Sequence, residues 1–225
     1  MFDDMFLFVN RIEAGEKLAD ELLAESLVTT ASKEKLLVLS IPRGGVVVGA
    51  AVAQILGCAH EVVVVKKIGF PGHEEMAIGA LAEDGTVVLN QYVAGVSGLE
   101  NYIEQEKKRL AVQIAAYINK FRQGRALDLQ DKILILVDDG VATGETMKAA
   151  VTWLKSKPAG PKHVLVAVPV CSPPAASELT TIADKLVCVA IPQHFWAVGQ
   201  FYWDFSQISD DEVVEYLLPT KAGGE

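Results

Sequence analysis

The chain reads as an α/β protein: a doubly wound, mostly parallel sheet with helices on both faces. Three observations carry this. Strand-length apolar runs recur without polar alternation at residues 36–41, 61–66, 132–137, 163–170 and 185–191, as strands covered on both faces require. Most are followed by a Gly- or Pro-marked turn and a helix-forming stretch, the rhythm of βαβ units. Hydrophobic residues make up 51% of the 225 and charged residues 22%, a globular balance that can bury one large core.

Taken in order, residues 11–27 carry apolar positions at helical spacing among good helix formers and predict an amphipathic opening helix. Strand 36–41 runs into the turn Pro42-Arg43-Gly44-Gly45, and a small-residue helix over 46–56 stops at Gly57, a residue suited to a helix C-terminus. Strand 61–66 comes next. Residues 67–131 then break the rhythm with a Gly/Pro-rich stretch, a hairpin with strands near 77–81 and 86–89 turning at Glu83-Asp84-Gly85, and a long helix over 99–121. Such an insertion suits a lid. The alternation resumes with strand 132–137, a helix over 145–156, strand 163–170, a short helix after Pro173-Pro174 and strand 185–191. The expectation is one domain over 1–225, with a lid at about 67–131 and a C-terminal hood at about 191–218.

Several function classes are disfavoured. A net charge of −9 opposes electrostatic capture of nucleic acid, which needs clustered cations. The dense basic group Lys107-Lys108-Arg109 shares its helix with Glu100, Glu104 and Glu106 and reads as a solvated face. No apolar run approaches bilayer length, and Met-Phe-Asp-Asp-Met-Phe does not resemble a signal peptide; no membrane association is expected, and the cytoplasm is the expected location. Cys58, Cys171 and Cys188 are too few and too widely spaced for a disulfide framework or a zinc site. His73-Glu74-Glu75 lacks the second histidine of a zinc-protease helix. Cys171, Ser172 and the histidines form no nucleophile-and-base pattern.

The most informative string is residues 133–146, Ile-Leu-Ile-Leu-Val-Asp-Asp-Gly-Val-Ala-Thr-Gly-Glu-Thr. An apolar strand ends there at two adjacent carboxylates, and small residues lead into a helix. A loop of this kind can wrap N–H groups around an anion, helped by hydroxyls and the positive end of the next helix. An ordinary strand end with an aspartate capping the helix is the other reading. The string also resembles the 5-phosphoribosyl diphosphate (PRPP) motif of the type I phosphoribosyltransferases, with Val-Asp-Asp-Gly-Val-Ala-Thr-Gly-Glu-Thr-Met close to the adenine-using branch. Together with Pro-Arg-Gly-Gly, Lys-Lys-Ile-Gly-x-Pro-Gly, Ala-Ile-Gly-Ala and Asp-Phe-Ser-Gln, it makes nearly the whole chain similar to the "predicted phosphoribosyltransferase" group.

That resemblance implies the type I fold, PRPP and a small base-like acceptor as ligands, and Mg²⁺ as cofactor. Asp138 and Asp139 would hold the ribose hydroxyls, directly or through Mg²⁺. Gly140, Val141, Ala142, Thr143, Gly144, Glu145 and Thr146 would form the PRPP loop, and Gly44 and Gly45 the diphosphate loop. Arg43 and one of Lys66 and Lys67 would neutralise the leaving diphosphate. The aromatic stretch after residue 191 is similar to the hood of the 6-oxopurine enzymes, with Phe195 or Trp196 stacking on a base, Val198 meeting its edge and Asp204 reading an exocyclic group. Packing of a small lobe is the other reading of those aromatics. Glu74 or Glu83 is the candidate lid acid. The oligomeric state stays open, a homodimer being one arrangement.

Two departures bear on the acceptor. The 6-oxopurine enzymes place an aspartate where this chain has Ala142 and a lysine where it has Ala183, which argues against hypoxanthine or guanine. The expected function is Mg²⁺-dependent transfer of the 5-phosphoribosyl group to a nitrogen of the acceptor, with release of pyrophosphate. The alternative is a PRPP-binding regulator of the same fold without turnover. A PRPP-forming diphosphokinase is disfavoured because such chains are usually longer and duplicated.

Overall fold

A computed structural model describes residues 6–90, 93 and 98–218, apart from the side chains of residues 74–76. Its elements are α1 (Arg11–Leu23), α2 (Ser26–Thr29), β1 (Leu36–Ser40), α3 (Gly44–Leu56), β2 (Ala59–Val62), β3 (Lys66–Phe70), β4 (His73–Leu81), β5 (Val87–Leu89), α4 (Glu100–Arg122), β6 (Ile133–Val137), α5 (Glu145–Lys155), β7 (His163–Val170), α6 (Pro173–Ile182), β8 (Lys185–Ala190) and α7 (Asp210–Leu217). The main sheet runs β2-β1-β6-β7-β8 and every pairing in it is parallel.

The apolar strand runs explain the layering. Every residue of β1 and β6 is buried, because alternate side chains enter two different cores. Leu37, Leu39, Leu134 and Leu136 pack with Met147, Val151 and Leu154 of α5 on one face. Val38, Ile133 and Ile135 pack with Leu18 and Leu22 of α1 and Val48 and Val52 of α3 on the other. This is the doubly wound α/β fold that the apolar pattern predicts.

Two element boundaries differ from the sequence reading. The opening helix ends at Leu23, where Glu25 takes an extended conformation before the short α2. The second strand stops at Val62. Beyond it, Val63 donates its N–H to the Ser40 carbonyl at 3.0 Å, while that of Val64 goes to a Glu83 side-chain oxygen at 2.8 Å. That side-chain partner replaces a neighbouring strand, and the chain leaves the main sheet.

Residues 66–89 form an antiparallel sheet, β3-β4-β5, so the expected hairpin is present with β3 added as a third strand. It packs against α5 and α4: Trp153 Nε1 donates to Asp84 at 2.9 Å and Tyr102 Oη to the Gly69 carbonyl at 3.0 Å. The C-terminal segment folds back onto the N-terminal one. Trp203 and Asp204 donate their N–H groups to the carbonyls of Phe8 and Val9 at 2.9 and 2.8 Å, and Phe8, Phe201 and Tyr202 are buried together.

Candidate active site

In an open parallel sheet, ligands collect at the carboxyl edge where the winding reverses. Here β2 lies on one side of β1 and β6 on the other, so the reversal falls between β1 and β6. Ser40 is in register with Val137, and the Ile41 N–H bonds the Val137 carbonyl at 2.9 Å. The turn 42–45 and the loop 138–146 therefore leave the sheet side by side.

Their contact demands glycine. A Cβ on Gly44 would stand 1.9 Å from Asp139 Oδ2, and one on Gly45 would stand 2.8 Å from Asp138 Cα and 3.0 Å from the Val137 carbonyl oxygen. Any side chain at either position would push the two loops apart. The Pro42–Arg43 peptide bond is cis. α3 and α5 both begin at this crevice, and neither has a side-chain cap on its first turn, whereas α1, α6 and α7 are capped by Asn10, Ser172 and Ser209. The first turn of a helix has N–H groups without intrahelical partners. Two such ends converging on one crevice form a concave donor surface suited to an anion.

Asp138 and Asp139 stand between them. Asp138 Oδ1 accepts the N–H of Asp139 at 2.8 Å. Burial first, and the neighbouring Asp139 second, push the Asp138 carboxyl well above the usual carboxylate range. Burial also raises Asp139, but the Arg11 guanidinium holds it back. Arg11 Nε reaches Asp139 Oδ2 at 2.8 Å, its Nη1 donates to the Ser206 carbonyl at 2.8 Å, and its Cζ lies 3.9 Å from the centroid of the Phe205 ring. Tyr202 Oη donates to the Asp139 carbonyl at 2.6 Å. Arg11 and Tyr202 were not legible as site residues: one opens an amphipathic helix and the other is one aromatic among many.

The rest of the loop divides in two. Val141 is not free to donate to a ligand, because its N–H goes to the Val170 carbonyl at 2.9 Å and its carbonyl accepts from Ser172 N–H at 2.9 Å. It anchors the loop to β7. Ala142 and Thr143 are exposed, and Gly144 adopts φ 78°, a left-handed conformation that favours glycine. Gly140 lies under Val198, whose Cγ1 would be 2.5 Å from an added Cβ. Glu145 accepts from Lys148 Nζ at 2.7 Å and from Asn90 Nδ2 at 3.3 Å. Thr146 is half-buried in the first turn of α5.

Around the turn 42–45, Arg43 Nη1 lies 4.0 Å from Asp210 and Lys66 Nζ lies 4.0 Å from the centroid of the Tyr117 ring. Lys67 is exposed. Lys66 lies in the electrostatic neighbourhood of Arg43 and Asp210: burial first, and Arg43 after it, lower its pKa, while Asp210 raises it.

The acceptor-side expectations fare differently. Trp196 is 88% exposed, and Phe195 packs on Phe201 with ring centroids 5.0 Å apart. Asp204 is exposed, and its Oδ1 accepts from Ser206 N–H at 3.0 Å and from the Ser206 hydroxyl. The Glu83 carboxylate is held by Arg122 Nη2 at 2.5 Å and by Val64 N–H at 2.8 Å, and the next residue bonds Trp153, eight residues along α5 from the crevice, or ~12 Å at a rise of 1.5 Å per residue. The structure thus places Glu83 in an ion pair away from the two loops. Glu74 falls in β4 with its side chain outside the described residues.

Among the described residues no cluster of three or more His, Cys, Asp or Glu forms a self-sufficient metal site. No helix there is long and apolar enough to cross a membrane. Cys58, Cys171 and Cys188 are free thiols, and burial pushes the first two up to about 11 and the third to about 12. An open groove of about 800 Å³ beside α3 and α7 includes none of the residues of the two loops.

The molecule is therefore a doubly wound α/β protein whose switch-point crevice joins an acidic pair to two open helix ends. It belongs to the phosphoribosyl transferase domain family, whose model matches residues 9–206. Two Mycobacterium tuberculosis proteins named as inferred phosphoribosyl transferases, one from strain H37Rv and one from strain CDC 1551, are 38% identical over 215 residues, or 95% of this chain and 47% of theirs. The chain thus spans about half the length of these relatives. The crystal structure of TT1426 from Thermus thermophilus matches with a TM-score of 0.80 and 39% identity, covering 94% of this chain and 97% of that one.

Proposed function

We propose that this chain transfers the 5-phosphoribosyl group from PRPP to a nitrogen of a small base-like acceptor and releases pyrophosphate. The observation that carries the reading is the abutment of the turn 42–45 and the loop 138–146, with Gly44 and Gly45 packed onto Asp139 and Asp138. One crevice thereby holds an anion-accepting surface at each end and a carboxylate pair between them. Such a site matches a sugar that carries a phosphate and a diphosphate.

In this reading the N-terminal turn of α5, with Thr143 and Thr146, binds the 5′-phosphate. The start of α3, with Arg43 and Lys66, binds the diphosphate. Asp138 and Asp139 orient the ribose hydroxyls and stabilise positive charge as the glycosidic bond opens. Arg11 and Tyr202 hold Asp139 in place from behind. The donor set suits Mg²⁺, because two crowded carboxylates with raised pKa values gain from a hard cation, which such proteins hold through one or two carboxylates plus substrate oxygens. When bound, Mg²⁺ neutralises diphosphate charge.

The test is Asp138→Asn with Asp139→Asn. Pyrophosphate release in the presence of PRPP, Mg²⁺ and a panel of heterocycles should fall by about a thousandfold, a larger loss than the drop in stability expected from breaking the Arg11–Asp139 pair. Retained turnover overturns the assignment.

One observation favours the second reading, a PRPP-binding regulator. Ala142 occupies the general-base position, and Glu83 and Asp204 are engaged elsewhere. Calorimetric PRPP binding without pyrophosphate release for any acceptor would select it.

A further inference from the structure

The N-terminus of α7 packs against the diphosphate turn, and its first residue, Asp210, faces cations from three separate elements. Its Oδ1 lies 4.0 Å from Arg43 Nη1, in the turn after β1. Its Oδ2 lies 3.5 Å from Lys120 Nζ on α4. Its charge also acts on Lys66, the first residue of β3. A buried contact of Val46 on α3, Val62 on β2, Phe121 on α4 and Val213 on α7 fixes this placement. Ser209 and Glu212 start α7 with reciprocal capping bonds, so the position of Asp210 does not rest on its own ion pairs.

The charge arrangement is specific. Arg43 and Lys66 repel each other, and burial further disfavours the Lys66 charge, while its Nζ sits over the Tyr117 ring in a cation–π contact. Asp210 is the carboxylate that offsets this repulsion. At 4.0 Å its contact with Arg43 is an ion pair without a hydrogen bond, so the guanidinium donors stay available for a ligand. Asp211 differs: it is 89% exposed and reaches Lys120 alone, at 3.0 Å.

We infer that Asp210 is a positioning residue for the diphosphate end of the site, holding the Arg43 guanidinium and the Lys66 ammonium in place beside the crevice before ligand arrives. The inference rests on the donor reading above. It assigns α7 a part in recognising the leaving group.

The experiment is calorimetric titration of the full chain with inorganic pyrophosphate and with PRPP, in Mg²⁺, over a pH series carried up through the ordinary lysine range. Asp210→Asn should weaken both by about fivefold, the size of one surface-type ion pair. It should also move the alkaline loss of binding to lower pH, because Lys66 then gives up its proton more easily. Asp210→Glu should restore binding to within about twofold and Asp211→Asn should leave it unchanged. In an Arg43→Gln background the effect of Asp210→Asn should shrink, since it acts through Arg43. Asp210→Ser stands in if the amide variant does not fold. Unchanged or tighter binding on charge removal, or no rescue by glutamate, overturns the inference alone. A wild-type chain that binds neither ligand overturns the donor reading and this inference together.

Discussion

The loop crevice at residues 42–45 and 138–146, proposed as the donor side, and the segment 195–205, proposed as the acceptor side, are built by different means. Residues 42–45 and 138–146 emerge from adjacent, fully buried strands, and their geometry is set by main-chain packing and by glycines that tolerate no Cβ. Residues 195–205 lie in a segment held to the body by the N-terminal residues Phe8 and Val9 and by side chains such as Tyr202 and Phe205. On the proposed reading the donor ligand would be met by backbone fixed to the sheet, and the acceptor by a docked strap that can vary without disturbing the sheet. A common donor with divergent acceptors is the expected result of this division.

Four measurements would test the contrast. The largest effect is expected for Gly44→Ala. Overpacking against Asp139 should reduce PRPP affinity by about tenfold to a hundredfold, the ~1–3 kcal/mol such insertions cost, and calorimetry that finds donor binding intact would show the loops to be less rigidly joined. Next is Arg11→Gln. Asp139 is already raised by burial and restrained by Arg11, so removing the cation raises it further, and the carboxylate pair takes up its proton at higher pH. PRPP binding should fail on acidification at higher pH than in wild type; an unshifted acid limb would mean that Arg11 only packs.

The third concerns acid stability. His60 is half-buried, bonds Ser40 Oγ through Nε2 at 2.8 Å and the Tyr216 carbonyl of α7, and burial lowers its pKa to about 4. The unfolded chain binds this proton more readily, so stability is full above pH ~6.5 and declines toward pH ~4. About 1–3 kcal/mol should be lost across that window after allowing for partial exposure, and His60→Gln should flatten the profile in denaturant titrations. The smallest effect is expected for Trp196→Ala, within about 0.5 kcal/mol in stability and with donor binding unchanged. Any change should appear only in acceptor KM, and a change in PRPP affinity would join the two halves that the structure separates.

The sequence alone determined the sheet and the donor loops. Apolar runs without alternation specify doubly covered strands, and the acidic pair, glycines and hydroxyls of 138–146 lie consecutively along one strand–turn–helix unit. Local chemistry is legible when its parts are neighbours in the chain. Only the tertiary structure decided which distant charges meet. Arg11 reaches Asp139 across 128 positions, Tyr202 reaches it from the opposite end, Asp210 faces Arg43, and Glu83, which reads as a lid acid, is taken by Arg122. Nothing local marks these partners, because a long charged side chain has no preference until packing brings an opposite charge within about 4 Å and excludes the water that would otherwise solvate both.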